Sequence, residues 1–209
     1  KDYIAFRVLD GPVVTRHLEI AHGMSGSPIY IGGRLVGAIS LGNQFAKDPI
    51  GYATPIEYMF DAWSPDLPAK PSSLSAAPPA AMSAGNVPLP NFSGSTLPLM
   101  ASGLSAQSIS RLNQAFSPFH FNVMAGGGAG DSTDTNPLAK GATLVPGSAV
   151  GVSLVQGDMD LTATGTVTYR DGNRLLLFGH PFTSLGPIDA ALTTAYVIDV
   201  FPSYQDSTK

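Results

Sequence analysis

The chain has 209 residues, a formal charge of −4 and no cysteine. The length fits one large all-β unit or two small domains, and the acidic balance excludes a basic surface for nucleic acid. Without cysteine there is no disulfide, no thiol nucleophile and no thiolate metal site. The 23 glycines and 18 prolines favour short strands and turns over long helices.

No apolar run is long enough to cross a bilayer as a helix, so the sequence predicts no transmembrane segment. The four histidines lack the spacing of metal ligands, and we expect neither a metal nor a cofactor. Both ends of the chain read as cut from a longer precursor. We therefore expect the chain to associate with other fragments of that precursor.

The N-terminal third reads as a strand, a turn, a polar segment and a hairpin. Residues 3–9 predict a strand, and Asp10-Gly11-Pro12 predicts a turn. Residues 13–20 fit a short helix or an irregular lead-in. A glycine-rich loop follows, Gly23-Met24-Ser25-Gly26-Ser27-Pro28, which we call the serine loop. Two apolar strands joined at a glycine pair then predict a hairpin over residues 29–39.

A strand at 50–56 and a helix beginning at Glu57 complete a predicted serine-bearing β lobe, residues 1–63. Residues 64–104 are dominated by Pro, Ala, Ser and Gly, which is typical of an extended linker. Residues 105–116 predict an amphipathic helix with Ser105 as its N-cap.

Residues 105–209 form a predicted histidine-bearing β lobe. Asp171-Gly172 predicts a tight hairpin turn, because glycine supplies the positive φ that such a reversal needs. The predicted strands of this lobe are residues 119–123, 149–155, 161–169, 174–178 and 191–201.

The serine loop predicts a nucleophile. Glycines on both sides of Ser25 permit a sharply bent backbone and a close approach by substrate. The same bend lets the N–H groups of Gly23 and Ser25 point at one spot, as an oxyanion hole requires. We therefore assign Ser25 as the candidate nucleophile, with these two N–H groups as its oxyanion donors.

A serine nucleophile needs a base and a group that orients the base. His180 fits the base best, since it follows a buried strand and a glycine and precedes a proline. His22 lies on the serine's own tight loop, where its ring reaches the hydroxyl poorly. His17 and His120 read as surface or packing residues.

Spacing alone does not identify the acid that orients the base. Three aspartates compete for that role, Asp10, Asp189 and Asp199. Two common serine motifs are excluded. The nucleophile elbow Gly-x-Ser-x-Gly fails at Ser27, and a hairpin follows where that elbow needs a helix. The Ser-x-x-Lys pattern fails at Pro28.

The serine loop, the Gly-x-Leu-Val-Gly-Ala run at 33–38 and the Gly-Tyr-x-x-x-Ile segment at 51–56 resemble the SpoIVB peptidase family. These stage IV sporulation protein B enzymes are secreted bacterial serine endopeptidases. The resemblance covers residues 3–62, and again 144–200, where Gly-Thr-Val-Thr-Tyr-Arg-Asp leads into Phe-Gly-His-Pro.

The resemblance implies that Ser25 is the nucleophile, His180 the general base and Asp10 the acid. It also implies two chymotrypsin-like β-barrel lobes with the active site in the cleft between them. One departure is the motif order, since the family's histidine segment precedes its serine segment and here it follows. The family's peptide-binding PDZ domain is not recognisable, so the sporulation role is not carried over.

The expected function is thus a secreted or periplasmic bacterial serine endopeptidase acting on a peptide or protein substrate. Two alternatives stay open. One is a catalytically inactive protein that keeps the protease fold for binding or structure. The other is a protease whose serine cleaves only its own precursor.

Overall fold

The structure is a computed structural model that describes residues 2–42, 48–63, 97–126, 137–182 and 188–200. This part of the chain is mostly β-structure, in two sheets with a few short helices, which confirms the prediction of a β-dominated fold. No helix in the described ranges is both long and apolar enough to span a membrane.

The first sheet is antiparallel and contains the hairpin that follows the serine loop. Its spatial order is β1-β4-β3-β2. The hairpin turns at Gly32 and Gly33, which have φ values of 56° and 77°. The elements of this half are β1 (Ile4–Arg7), α1 (Pro12–Thr15), β2 (Pro28–Ile31), β3 (Arg34–Gly42), β4 (Ile50–Pro55) and α2 (Ile56–Phe60).

The second sheet has the order β10-β7-β8-β5-β6, and β9 pairs with the C-terminal half of β8. All its pairs are antiparallel except β5 with β6. The elements of this half are β5 (Leu97–Ser102), α3 (Ala106–Phe116), β6 (Phe121–Ala125), α4 (Pro137–Lys140), β7 (Ala149–Val155), β8 (Asp160–Asp171), β9 (Arg174–Leu177) and β10 (Ala191–Thr194).

Helix α3 is the crossover that a parallel pair of strands requires. It confirms the predicted helix and its cap, because the Ser105 hydroxyl accepts the N–H of Ser108 at 3.2 Å. Asn113 fastens the helix to β6, donating to the Val123 carbonyl and accepting the Val123 N–H, both at 2.6 Å. The apolar side of α3 packs against the buried face of the sheet.

The predicted linker has a wrong C-terminal boundary. Residues 97–102 are not linker but β5, a strand between β6 and β8. Leu99 on this strand is fully buried and pairs with Ala163. Residues 64–96 of the predicted linker lie outside the described residues. The last predicted strand is also shorter than expected, since β10 ends at Thr194.

The two halves of the chain share an apolar cluster. Ala38, Ile56 and Met59 from the first half bury against Leu176 of β9. At the edge of this cluster the Arg174 guanidinium lies 4.4 Å from the centre of the Trp63 ring. This packing brings the end of β9, and therefore the predicted histidine segment, to the first sheet.

Candidate active site

Two successive turns build the serine loop. In the first, the N–H of Met24 donates to the Ala21 carbonyl at 3.1 Å, and Gly23 has a φ of 89°. In the second, the N–H of Ser27 donates to the Met24 carbonyl at 2.9 Å, and Gly26 has a φ of 93°. A positive φ at the third residue is the pattern of a type II turn, which explains both glycines.

The loop is held against β8 by three hydrogen bonds. The N–H of Thr166 donates to the Ser25 carbonyl at 2.8 Å, and its hydroxyl donates to the Gly23 carbonyl at 2.9 Å. The Thr168 hydroxyl donates to the Gly26 carbonyl at 2.7 Å. The second half of the chain therefore fixes the backbone around the candidate nucleophile.

The hydroxyl of Ser25 meets the segment that carries the candidate base. The N–H of Gly179, 154 positions along the chain, donates to Ser25 Oγ at 3.2 Å. The carbonyl of Gly179 accepts the Thr54 hydroxyl, which ties the segment to β4. A Cβ at position 179 would overlap the Ile39 carbonyl, so only glycine fits this close approach.

Phe178, directly before this glycine, has an uncommon backbone conformation. It is buried and has a φ of 53°, which is unfavourable for a bulky side chain. Its ring covers Gly165 and lies 6.0 Å from the His180 ring between centroids. Backbone strain of this kind clusters at functional sites, where packing maintains it.

The half-buried ring of His180 is held by the next residue. Its Nδ1 lies 2.9 Å from the Pro181 carbonyl oxygen. A carbonyl oxygen only accepts, so Nδ1 carries the proton and Nε2 keeps a lone pair for a substrate or a nucleophile. Burial lowers the pKa of His180 below its ordinary value of 6.5, the Pro181 hydrogen bond opposes this shift, and His22 adds to it.

The structure brings Ser25 and His180 close together without a hydrogen bond between them. Among the described residues, the hydroxyl accepts from Gly179 and the ring bonds to Pro181. From the Gly179 contact, the Cα of His180 lies at most about 8.5 Å from Ser25 Oγ. Catalytic hydrogen bonds are often long in a resting enzyme and tighten only with substrate bound.

The structure does not bring the candidate acids to His180. Asp10 is exposed, and its Oδ1 accepts the N–H of Gly11 at 2.6 Å. Asp199 forms an ion pair with Arg16 at 2.8 Å. Asp189 is exposed. In the described part of the chain, the Pro181 carbonyl takes the place beside Nδ1 that the family resemblance implies for Asp10.

Three of the loop's N–H groups are used within the fold. Those of Met24 and Ser27 close the two turns, and that of Gly26 donates to the Ile39 carbonyl at 2.7 Å. The loop's other N–H groups are those of Gly23 and Ser25, the pair predicted as oxyanion donors.

Sequence reasoning missed Thr166 and Thr168. Their signal was present, because polar residues two apart on a strand share one face, and residues 161–169 were predicted to form a strand. His17 and His120, predicted as surface or packing residues, are both exposed.

We expect the His180 ring to be mostly neutral at pH 6.5, with the proton on Nδ1. Its pKa is lowered in the folded state, so the unfolded chain binds the proton more tightly. Stability should therefore fall as the pH drops through about 6.5. An NMR titration of the ring, with His180→Ala to assign its signal, measures the pKa, and urea unfolding at several pH values measures the stability. A midpoint above 6.5 would contradict the burial of the ring.

Comparisons with known protein families, curated proteins and solved structures found no match for this chain. The fold and site define a β-rich protein whose serine hydroxyl, on a double glycine turn, adjoins a Gly-His-Pro segment.

Proposed function

We propose that this protein is a serine endopeptidase of the SpoIVB type. The observation that carries the proposal is the hydrogen bond from Gly179 to Ser25 Oγ, which joins two motifs 154 positions apart. A resemblance based on either motif alone would not require them to meet. The neutral, Nδ1-protonated His180 beside them has the form a general base needs.

The reaction then proceeds in two steps. His180 turns from its resting position and takes the proton of Ser25 as Oγ attacks the peptide carbonyl carbon. The same proton passes to the leaving amine when the carbon–nitrogen bond breaks, and an acyl ester remains on Ser25. Water, deprotonated by His180, hydrolyses this ester and restores the hydroxyl.

The Pro181 carbonyl holds the imidazole in the tautomer that the reaction requires, so the proposal does not depend on Asp10. The N–H groups of Gly23 and Ser25 stabilise the oxyanion of the tetrahedral intermediate. We further propose that the two halves correspond to chymotrypsin-like lobes, and that the enzyme acts as a secreted or periplasmic bacterial protein. Support for the lobes is the two-sheet arrangement with the site at their junction.

A fluorophosphonate probe tests the proposal, because it reacts covalently with an activated serine. We expect mass spectrometry to place the adduct on Ser25 and Ser25→Ala to abolish it. Ser27→Ala is the matched control, since it removes a hydroxyl from the same loop and should leave labelling intact. Absence of an adduct on the intact protein, or equal labelling of Ser25→Ala, would refute the activity.

One observation favours a second candidate function, a protease fold that binds a partner without catalysis. Ser25 Oγ accepts from Gly179 while His180 bonds to Pro181, so the resting geometry lacks the nucleophile–base contact. This candidate predicts that the probe labels no serine at any pH, whereas the protease predicts labelling that rises as His180 loses its proton.

A further inference from the structure

Thr166 and Thr168 on β8 are buried polar residues, with relative exposures of 2% and 0%. Burying a hydroxyl costs free energy of folding unless the hydroxyl forms a hydrogen bond. Both hydroxyls donate to carbonyls of the serine loop, at 2.9 Å to Gly23 and 2.7 Å to Gly26. Both side chains therefore bind the serine loop.

These contacts, with the bond from the Thr166 N–H to the Ser25 carbonyl, fix the direction of three peptide groups of the loop, 23–24, 25–26 and 26–27. In a trans peptide, the carbonyl and the following N–H point in opposite directions. With the carbonyls of Gly23, Ser25 and Gly26 turned toward β8, the N–H groups of the residues that follow them point away from it. Those N–H groups donate to the backbone carbonyls of Ala21, Ile39 and Met24.

The N–H of Ser25 belongs to the peptide group 24–25, which lies between fixed groups, and the N–H of Gly23 belongs to the group 22–23 just before them. Each of these two groups shares a Cα with the group 23–24 that the Thr166 hydroxyl holds, and the Thr168 contact holds the loop further along, at 26–27. A loop without the two threonine hydroxyls would keep its two turns and the backbone bond from Thr166 to Ser25, but lose the two bonds that hold the Gly23 and Gly26 carbonyls against the second sheet.

We propose that Thr166 and Thr168 are positioning residues for the oxyanion hole formed by the N–H groups of Gly23 and Ser25. The inference rests on the proposed endopeptidase function. Neither threonine touches the substrate. Each acts through a loop carbonyl, so that the two donors already point at the developing negative charge when acylation begins.

Preorganised donors of this kind contribute strongly to catalysis, and the loss of one costs about 10² to 10³ in rate. Misalignment costs less than removal. Thr168→Val keeps the shape of the side chain and removes the donor, and we expect it to lower the rate of Ser25 phosphonylation by about 10- to 100-fold. Thr168→Ser keeps the donor and should restore most of the rate.

The experiment measures saturation kinetics of a fluorophosphonate with the full chain. The expected result is a lower maximal rate of inactivation for Thr168→Val, with unchanged half-saturation and recovery in Thr168→Ser. Thr164→Val on the same strand, opposite Gly151 of β7 and with no described hydrogen bond to the loop, is the matched control and should react like the parent. Urea unfolding of each variant identifies the conditions under which it is folded.

Equal maximal rates in the parent and Thr168→Val would overturn the inference, as would an equal loss in Thr164→Val or a loss that serine does not rescue. Thr166→Val and Thr166→Ser form a second pair for the case that Thr168→Val does not fold. Failure of the parent to label at Ser25 refutes the protease itself, and that outcome is distinct from parent labelling with unchanged variants.

Discussion

Replacement of His180 with alanine is expected to lower the rate at which Ser25 reacts by about 10⁴-fold. The substitution removes the proposed proton acceptor, and the Gly179 N–H that contacts Ser25 Oγ is a donor that cannot replace it. The rate constant for fluorophosphonate labelling near neutral pH measures the effect. Residual labelling should come from the oxyanion donors alone, as in other serine hydrolases that lack their base.

Two further variants make this prediction specific. His120→Asn changes an exposed histidine with a φ of 60°, a conformation that asparagine tolerates, and should react like the parent. Asp10→Asn tests which group orients the His180 ring, the acid implied by the family resemblance or the Pro181 carbonyl that bonds to the ring. We expect it to have little effect, and a loss equal to that of His180→Ala would show that Asp10 orients the base in the working enzyme.

Local chemistry made several elements predictable. Ser105 caps α3 because a serine just before a helical apolar pattern supplies an oxygen for one of the first N–H groups of the helix, which have no partner within the helix. Asp171-Gly172 forms the β8–β9 turn because it supplies the positive φ of 58° at glycine. In each case, residues adjacent in sequence determine the outcome.

Strand β5 could not be predicted in the same way. Leu97–Ser102 lies in a stretch rich in Pro, Ala and Ser, and composition there indicates an extended linker. What makes it a strand is its pairing with β8, where Leu99 lies opposite Ala163, 64 positions along the chain. Contacts at that distance leave no local periodicity to read.

The candidate active site was also predictable only where residues adjacent in sequence determine the structure. Each motif was predictable, since the serine loop needs its glycines and the histidine segment needs its turn. The contact between Ser25 and Gly179 was not, because it depends on how the two halves pack. The left-handed φ of Phe178 was hidden for a related reason, since tertiary packing of its ring maintains a conformation that its residue type disfavours.

Gly26→Ala is expected to lower the free energy of unfolding by about 3 to 5 kcal/mol. Two costs combine at this position. The φ of 93° is unfavourable for a residue with a Cβ, and that Cβ would overlap the Thr166 carbonyl and lie 2.7 Å from the Phe178 nitrogen. Both obstacles are backbone atoms, which cannot move aside as a flexible side chain would. Urea unfolding followed by the fluorescence of Trp63 measures the loss.

Gly33→Ala separates these two costs. Gly33 has a φ of 77°, but a Cβ there would meet nothing within 4 Å, so only the backbone conformation is penalised and about 1 to 2 kcal/mol should be lost. Equal losses at the two positions would mean that the loop does not pack tightly on β8. If the packing is tight, Gly26→Ala must also displace the Ser25 carbonyl from Thr166 and slow labelling of the serine, whereas Gly33→Ala leaves that rate unchanged.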